Sequence, residues 1–103
     1  DETMKASRDF REELPRFLKE PRDAALYLNA ALEESDPKVF LLALRDVAEV
    51  QGGLSRIARL AKLNRENLYR MLSKHGNPEF AGLQRLLDVT GFRFVVQSKR
   101  AGL

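Results

Sequence analysis

Cysteine is absent from the 103 residues, which excludes a disulfide framework, a thiolate metal site and a thiol nucleophile. Such a chain fits a reducing compartment, and the cytoplasm is the expected location. Histidine occurs once, as His75 beside Gly76, so no second imidazole can help it build a metal shell. It reads as a solvated loop residue or a neighbour of phosphate. Ser55 and Ser73 have no His–Asp constellation to activate them, and no glycine-rich phosphate loop occurs. The carboxylate pairs Glu12–Glu13 and Glu33–Glu34 lie in polar stretches and read as solvated surface. Long apolar runs are also missing: Val39 to Leu44 and Phe92 to Val96 fall far short of the roughly 18 to 20 residues that span a bilayer. No enzymatic activity, metal, cofactor, signal peptide or membrane partner is therefore expected.

What remains is a chain of single-domain size, with charge unevenly placed. The formal net charge is +3. From Asp1 to Gln51 there are 8 basic and 12 acidic residues, and from Gly52 to Leu103 there are 10 basic and 3 acidic. The halves carry −4 and +7. This polarity points the C-terminal half toward a polyanion, with chance variation in a charged surface as the competing reading.

Residues 1–13 are polar with the single large apolar residue Phe10, and are expected to be a flexible tail; Met4 is the expected native start. Residues 14–97 form the expected domain and 98–103 a second tail. Three prolines, Pro21, Pro37 and Pro78, mark helix starts, the last two behind the capping residues Asp36 and Asn77. From Pro21, the residues Ala24, Leu28, Ala31 and Leu32 recur at helical spacing. From Pro37, the broader stripe of Phe40, Leu41, Leu44, Val47 and Ala48 predicts the core helix, ending at Gly52–Gly53. Two short helices follow, from about Ser55 to Lys62 and from Arg65 to Ser73, with only Leu63–Asn64 between them. A fifth, carrying Phe80, Leu83, Leu86, Leu87 and Thr90, stops at Gly91. Phe92, Phe94 and Val96 then alternate with polar residues and predict one short C-terminal β-strand. A lone strand needs a partner, so these three residues are the candidates for homodimerisation; the competing reading is an extended segment lying across the helices.

The two short helices meet the requirements of a helix-turn-helix motif. Leu54, Ile57, Ala58 and Ala61 give the first a buried face, with Ala58 small enough for a close crossing, and Leu68, Met71 and Leu72 give one to the second. That leaves Asn64, Arg65, Glu66, Asn67, Tyr69 and Arg70 as candidates to read bases in the major groove, with arginine suited to guanine, asparagine to adenine and glutamate to cytosine. Ser55, Arg56, Arg59, Lys62 and Lys74 are candidates for backbone phosphates. Two helices of a bundle with a solvated basic face would show the same pattern.

The runs Gly52–Gly53–Leu54–Ser55 and Asn64 to Arg70, with Gly76–Asn77–Pro78 ahead of Phe80 and Leu83, resemble the addiction-module antidote proteins, HigA-like antitoxins of the Xre helix-turn-helix group. Asp23–Ala24–Ala25, Tyr27 to Leu32 and Leu44 to Ala48 are similar to that family's leading helices. The likeness spans roughly Phe17 to Val96. It implies a mainly α, compact five-helix, lambda-repressor-like domain that represses its own operon as a dimer on palindromic double-stranded operator DNA. It also implies a RelE/HigB-like toxin as partner, a small basic ribonuclease that cuts mRNA. Lys62 departs from the pattern, standing where such motifs often place glycine at the turn; left-handed backbone there would cost roughly 1 kcal/mol. A stand-alone Xre-type regulator, or an adaptor that never touches DNA, stays open beside the antitoxin.

Overall fold

The structure, a computed structural model, describes residues 16–99. The expected tail at 1–13, its start at Met4, the first two residues of the expected domain and residues 100–103 lie outside them. Among the described residues there are six helices and no strand: α1 (16–19), α2 (Pro21–Leu32), α3 (Lys38–Val50), α4 (Leu54–Leu60), α5 (Arg65–Met71) and α6 (Phe80–Thr90). Five were expected. The sixth, α1, is too short to show a period, yet Leu18 within it is buried in the core.

Two of the three proline signals act at the positions expected. Pro21 opens α2, where its missing N–H is no loss. Pro37 stands at the N-cap of α3 in helical backbone, and Asp36 ahead of it accepts the Lys38 N–H at 3.0 Å. At the third, Pro78 does not open α6. Glu79 is still extended and serves as N-cap, so the helix begins at Phe80 and Asn77 lies two residues too early to cap it.

Helical periodicity decides what is buried. Phe40, Leu41, Leu44, Val47 and Ala48 make α3 the centre of the core, with Ala24, Leu28 and Ala31 from α2 packed against it. Leu54, Ile57 and Ala58 of α4, then Ala61, Leu68, Leu72, Leu86 and Leu87, complete the same cluster. Two expected core residues are not enclosed: Leu32 is 49% exposed and Phe80 61%. Each stands at the end of its stripe, where the neighbouring helix no longer covers it.

The α4–α5 turn is closed by two backbone bonds, Leu63 N–H to Ala58 at 2.8 Å and Lys62 N–H to Arg59 at 3.2 Å. This crossed pair is a Schellman cap, which requires left-handed backbone at Lys62; its φ is 57°. The same cap ends α6, where Phe92 N–H reaches Leu87 at 2.7 Å and Gly91 takes the left-handed place with φ 95°. Gly76 answers a different need. A Cβ there would stand 2.3 Å from the Met71 carbonyl oxygen and 2.6 Å from that of Arg70, so only glycine lets the 73–78 loop fold back on α5.

The predicted C-terminal strand is not formed: residues 92–98 are irregular. A strand requires a ladder of partners, and no other strand occurs among the described residues. Aromatic docking takes its place, with Phe94 stacked on Phe80 at 5.5 Å between ring centres and tilted against Phe40 at 5.9 Å. Phe92 and Phe94 are half-buried against their own chain, and of the three dimerisation candidates Val96 alone stands free, 97% exposed. The segment lies across the helices.

Candidate nucleic-acid interface

From Gly52 to Lys74 the sequence carries six basic residues and one acidic residue. Every one of these basic side chains is exposed, because Leu54, Ile57, Ala58, Leu68 and Leu72 take the inward positions of α4 and α5. None is drawn into an ion pair within the described residues. Ser55, Arg56 and Arg59 lie on the outer side of α4, Lys62 at the turn and Lys74 past the end of α5, all open to solvent. The stem of Arg56 crosses Gly52, where an added Cβ would be 2.6 Å from Arg56 Cδ.

The six candidate base readers are not equivalent. Asn64 is the cap of α5: its Oδ1 accepts from the backbone N–H of Glu66 at 2.7 Å and of Asn67 at 3.4 Å, committing that oxygen to the helix start. Glu66 and Arg70, one turn apart, point away from the core, and Asn67 lies on the flank toward α6. Asn67 and Arg70 line a shallow cleft of about 280 Å³ with Met71, Asn77 and Arg85. Arg65 and Tyr69 share the other flank, toward α3. There Arg65 Nη2 donates to the Tyr69 hydroxyl at 3.3 Å, and the Arg65 guanidinium carbon sits 5.3 Å from the ring centre. The bond to Tyr69 raises the Arg65 pKa further above its ordinary value, so its charge is fixed across the biological pH range.

Sequence reading missed one member of this cluster. Arg45, on α3, also lies over the Tyr69 ring, 5.3 Å from its centre. No signal in the sequence joins residues 24 positions apart on different helices. Only the packing of α3 against the helical pair does so.

Elsewhere the polar contacts are structural. Tyr27 donates to Asp46 Oδ2 at 2.6 Å, linking α2 to α3. Gln51 donates to the Thr90 carbonyl at 2.9 Å, tying the end of α3 to the end of α6. His75 is exposed and lines an apolar groove of about 610 Å³ with Phe40, Leu41, Pro78, Leu83 and Phe94. Among the described residues no His, Asp or Glu cluster could hold a metal ion, and no helix is long and apolar enough to cross a membrane.

Residues 10–98 match a family described as "Probable addiction module antidote protein". A protein of Haemophilus influenzae, described only as uncharacterized, is 41% identical over 75 residues, covering 73% of this chain and 76% of the relative. No solved structure matches.

Proposed function

The chain belongs to the family of probable addiction module antidote proteins, and from that premise we propose that it is the antitoxin of a type II toxin–antitoxin module, acting in the cytoplasm. An antidote implies a toxin. Here that partner is a RelE/HigB-like mRNA-cleaving toxin, neutralised by direct binding, and the acidic N-terminal half suits a basic ribonuclease. The second activity is repression of its own operon. In it α4 and α5 serve as an Xre-type helix-turn-helix, with Arg65, Glu66, Asn67, Tyr69 and Arg70 turned to base edges and Ser55, Arg56, Arg59, Lys62 and Lys74 to phosphates. A homodimer would match the two-fold symmetry of a palindromic operator, with the free end of the C-terminal segment at Val96 offered to the second copy.

The observation that carries the DNA reading is the unneutralised cationic face of α4 and α5, on which Arg65 is fixed by Tyr69. Charge that serves only solubility carries both signs interspersed, whereas this stretch holds six basic residues against one acidic. The test is binding to duplex DNA from just upstream of its own operon against a shuffled duplex, at two salt concentrations. Preference for the native duplex that survives the higher salt is expected; weak, equal and salt-sensitive binding would reduce the face to nonspecific charge and favour an adaptor. Co-purification of the protein with the product of the adjacent gene tests the toxin.

A further inference from the structure

We propose that Arg45, although it stands on α3 outside the helical pair, belongs to the same DNA site and anchors a backbone phosphate beside the bases that Arg65 reads. The inference rests on the DNA-binding reading above and adds a contact to it. Arg45 and Arg65 each place their guanidinium carbon 5.3 Å from the centre of the Tyr69 ring, so the two carbons are at most about 11 Å apart. Like charges on one ring repel weakly through solvent, and the ring's attraction for each offsets that in part. The acids at hand temper this charge without closing it off: the Glu49 carboxylate favours the charged form of Arg65 from a distance. Asp46, next in sequence, is engaged by the Tyr27 hydroxyl at 2.6 Å, and Glu49, one turn further along α3, forms no ion pair with either arginine. Among the described residues Arg45 has no partner except the ring. Two guanidiniums held on one ring, neither closed off by an ion pair among the described residues, leave donors free for an anion. The surface that carries them is the one whose remaining charges face DNA, and guanidinium suits phosphate through its planar fork of donors.

The placement also gives α3 a role. Arg65 sits in the first turn of α5 and reaches back along Tyr69 toward α3. A phosphate held by Arg45 would fix the approach of the duplex to α5 from the side opposite Asn67, so Arg45 sets register without itself reading sequence.

The test compares the wild type with Arg45→Met, which keeps a long stem over the ring and removes the charge, and with Arg45→Lys, which keeps the charge. Each is titrated with the upstream and shuffled duplexes across a fourfold range of salt, with thermal unfolding as the check on fold. Each protomer loses one phosphate contact and the proposed dimer two, which lowers the slope of log K against log salt by about 1.8, so across that range the wild type should lose roughly twelvefold more affinity than Arg45→Met, on both duplexes alike. Arg45→Lys should keep the wild-type slope. An unchanged slope in Arg45→Met, or a loss confined to the native duplex, overturns the proposal and leaves Arg45 as a support for Tyr69. If Arg45→Met fails to fold, the slope of Arg45→Gln decides in the same way. A wild type that binds neither duplex overturns the DNA reading itself, an outcome distinct from a wild type that binds and a variant that matches its slope.

Discussion

Tyr27 and Tyr69 are the chain's two tyrosines, and the two halves of the molecule use them in opposite ways. Tyr27, in the acidic half, is half-buried and spends its hydroxyl on Asp46; burial first, then that bond and the Asp46 charge, push its pKa well above the ordinary phenol value. Tyr69, in the basic half, gives its ring to Arg45 and Arg65 and accepts a hydrogen bond from Arg65 at its oxygen. In the first case a charge is satisfied inside the fold. In the second, charges are held in place without an ion pair, which is what the proposed DNA contact requires.

The comparison breaks if the two halves do not fold as one unit. Leu44 on α3 and Leu68 on α5 are 1% and 0% exposed, so Leu44→Ala and Leu68→Ala should each cost about 2 to 5 kcal/mol in chemical denaturation. A cost for Leu68→Ala far below that of Leu44→Ala would mean that α4 and α5 are only loosely joined to the core. Gly76→Ala should follow, at about 1 to 3 kcal/mol, because the new methyl meets backbone that must move. Gly82→Ala is its control: the Cβ would meet the end of the Met71 side chain, which can swing aside. Equal losses from the two would show that the 73–78 loop is not pinned to α5.

A phenylalanine at each tyrosine tests the division directly. Tyr27→Phe leaves a half-buried Asp46 without its donor and should cost about 1 to 3 kcal/mol, with duplex binding unchanged. Tyr69→Phe should leave stability unchanged and reduce the preference for the native duplex, since Arg65 loses the acceptor that orients it. The reverse pattern would dissolve the comparison. Alkaline pH gives an independent reading of the first pair. Because the Tyr27 pKa is raised on folding, its contribution is complete below the unfolded value of about 10 and is lost as pH climbs beyond it, the unfolded chain releasing its proton first. Between pH 9 and 11 the wild type should lose more stability than Tyr27→Phe; parallel curves would count against the Asp46 bond.

The stripes of α2 and α3, the tight turn and the buried faces of α4 and α5 were legible because each follows from helical period and local punctuation. Ile57, Ala58, Leu68 and Leu72 are buried as their spacing requires. What escaped depends on contacts between distant residues. The alternation of Phe92, Phe94 and Val96 is a real period of two, but Phe40 and Phe80 capture Phe94 before a strand can pair. Arg45 is one more charged residue beside an apolar stripe until Tyr69 is brought beneath it. Asn64 reads from sequence as a base contact, and only the fold shows that the helix start occupies the oxygen it would offer.

The smallest effect expected is at Lys62, where the basic half keeps a charge at a position that suits glycine. Left-handed backbone costs a non-glycine residue roughly 1 to 2 kcal/mol, while glycine gives back roughly 0.5 to 1 kcal/mol through its freer unfolded chain. Lys62→Gly should therefore stabilise the protein by about 0.5 to 1 kcal/mol, a rise of a few degrees in melting temperature. If Lys62 also meets a phosphate, the same variant will bind duplex less tightly, with a smaller salt slope. Gain of stability with loss of slope would show that the lysine is kept for its charge against the preference of the backbone. Gain of stability with the slope intact would move Lys62 out of the interface and leave Arg56 and Arg59 to carry the phosphate contacts of α4.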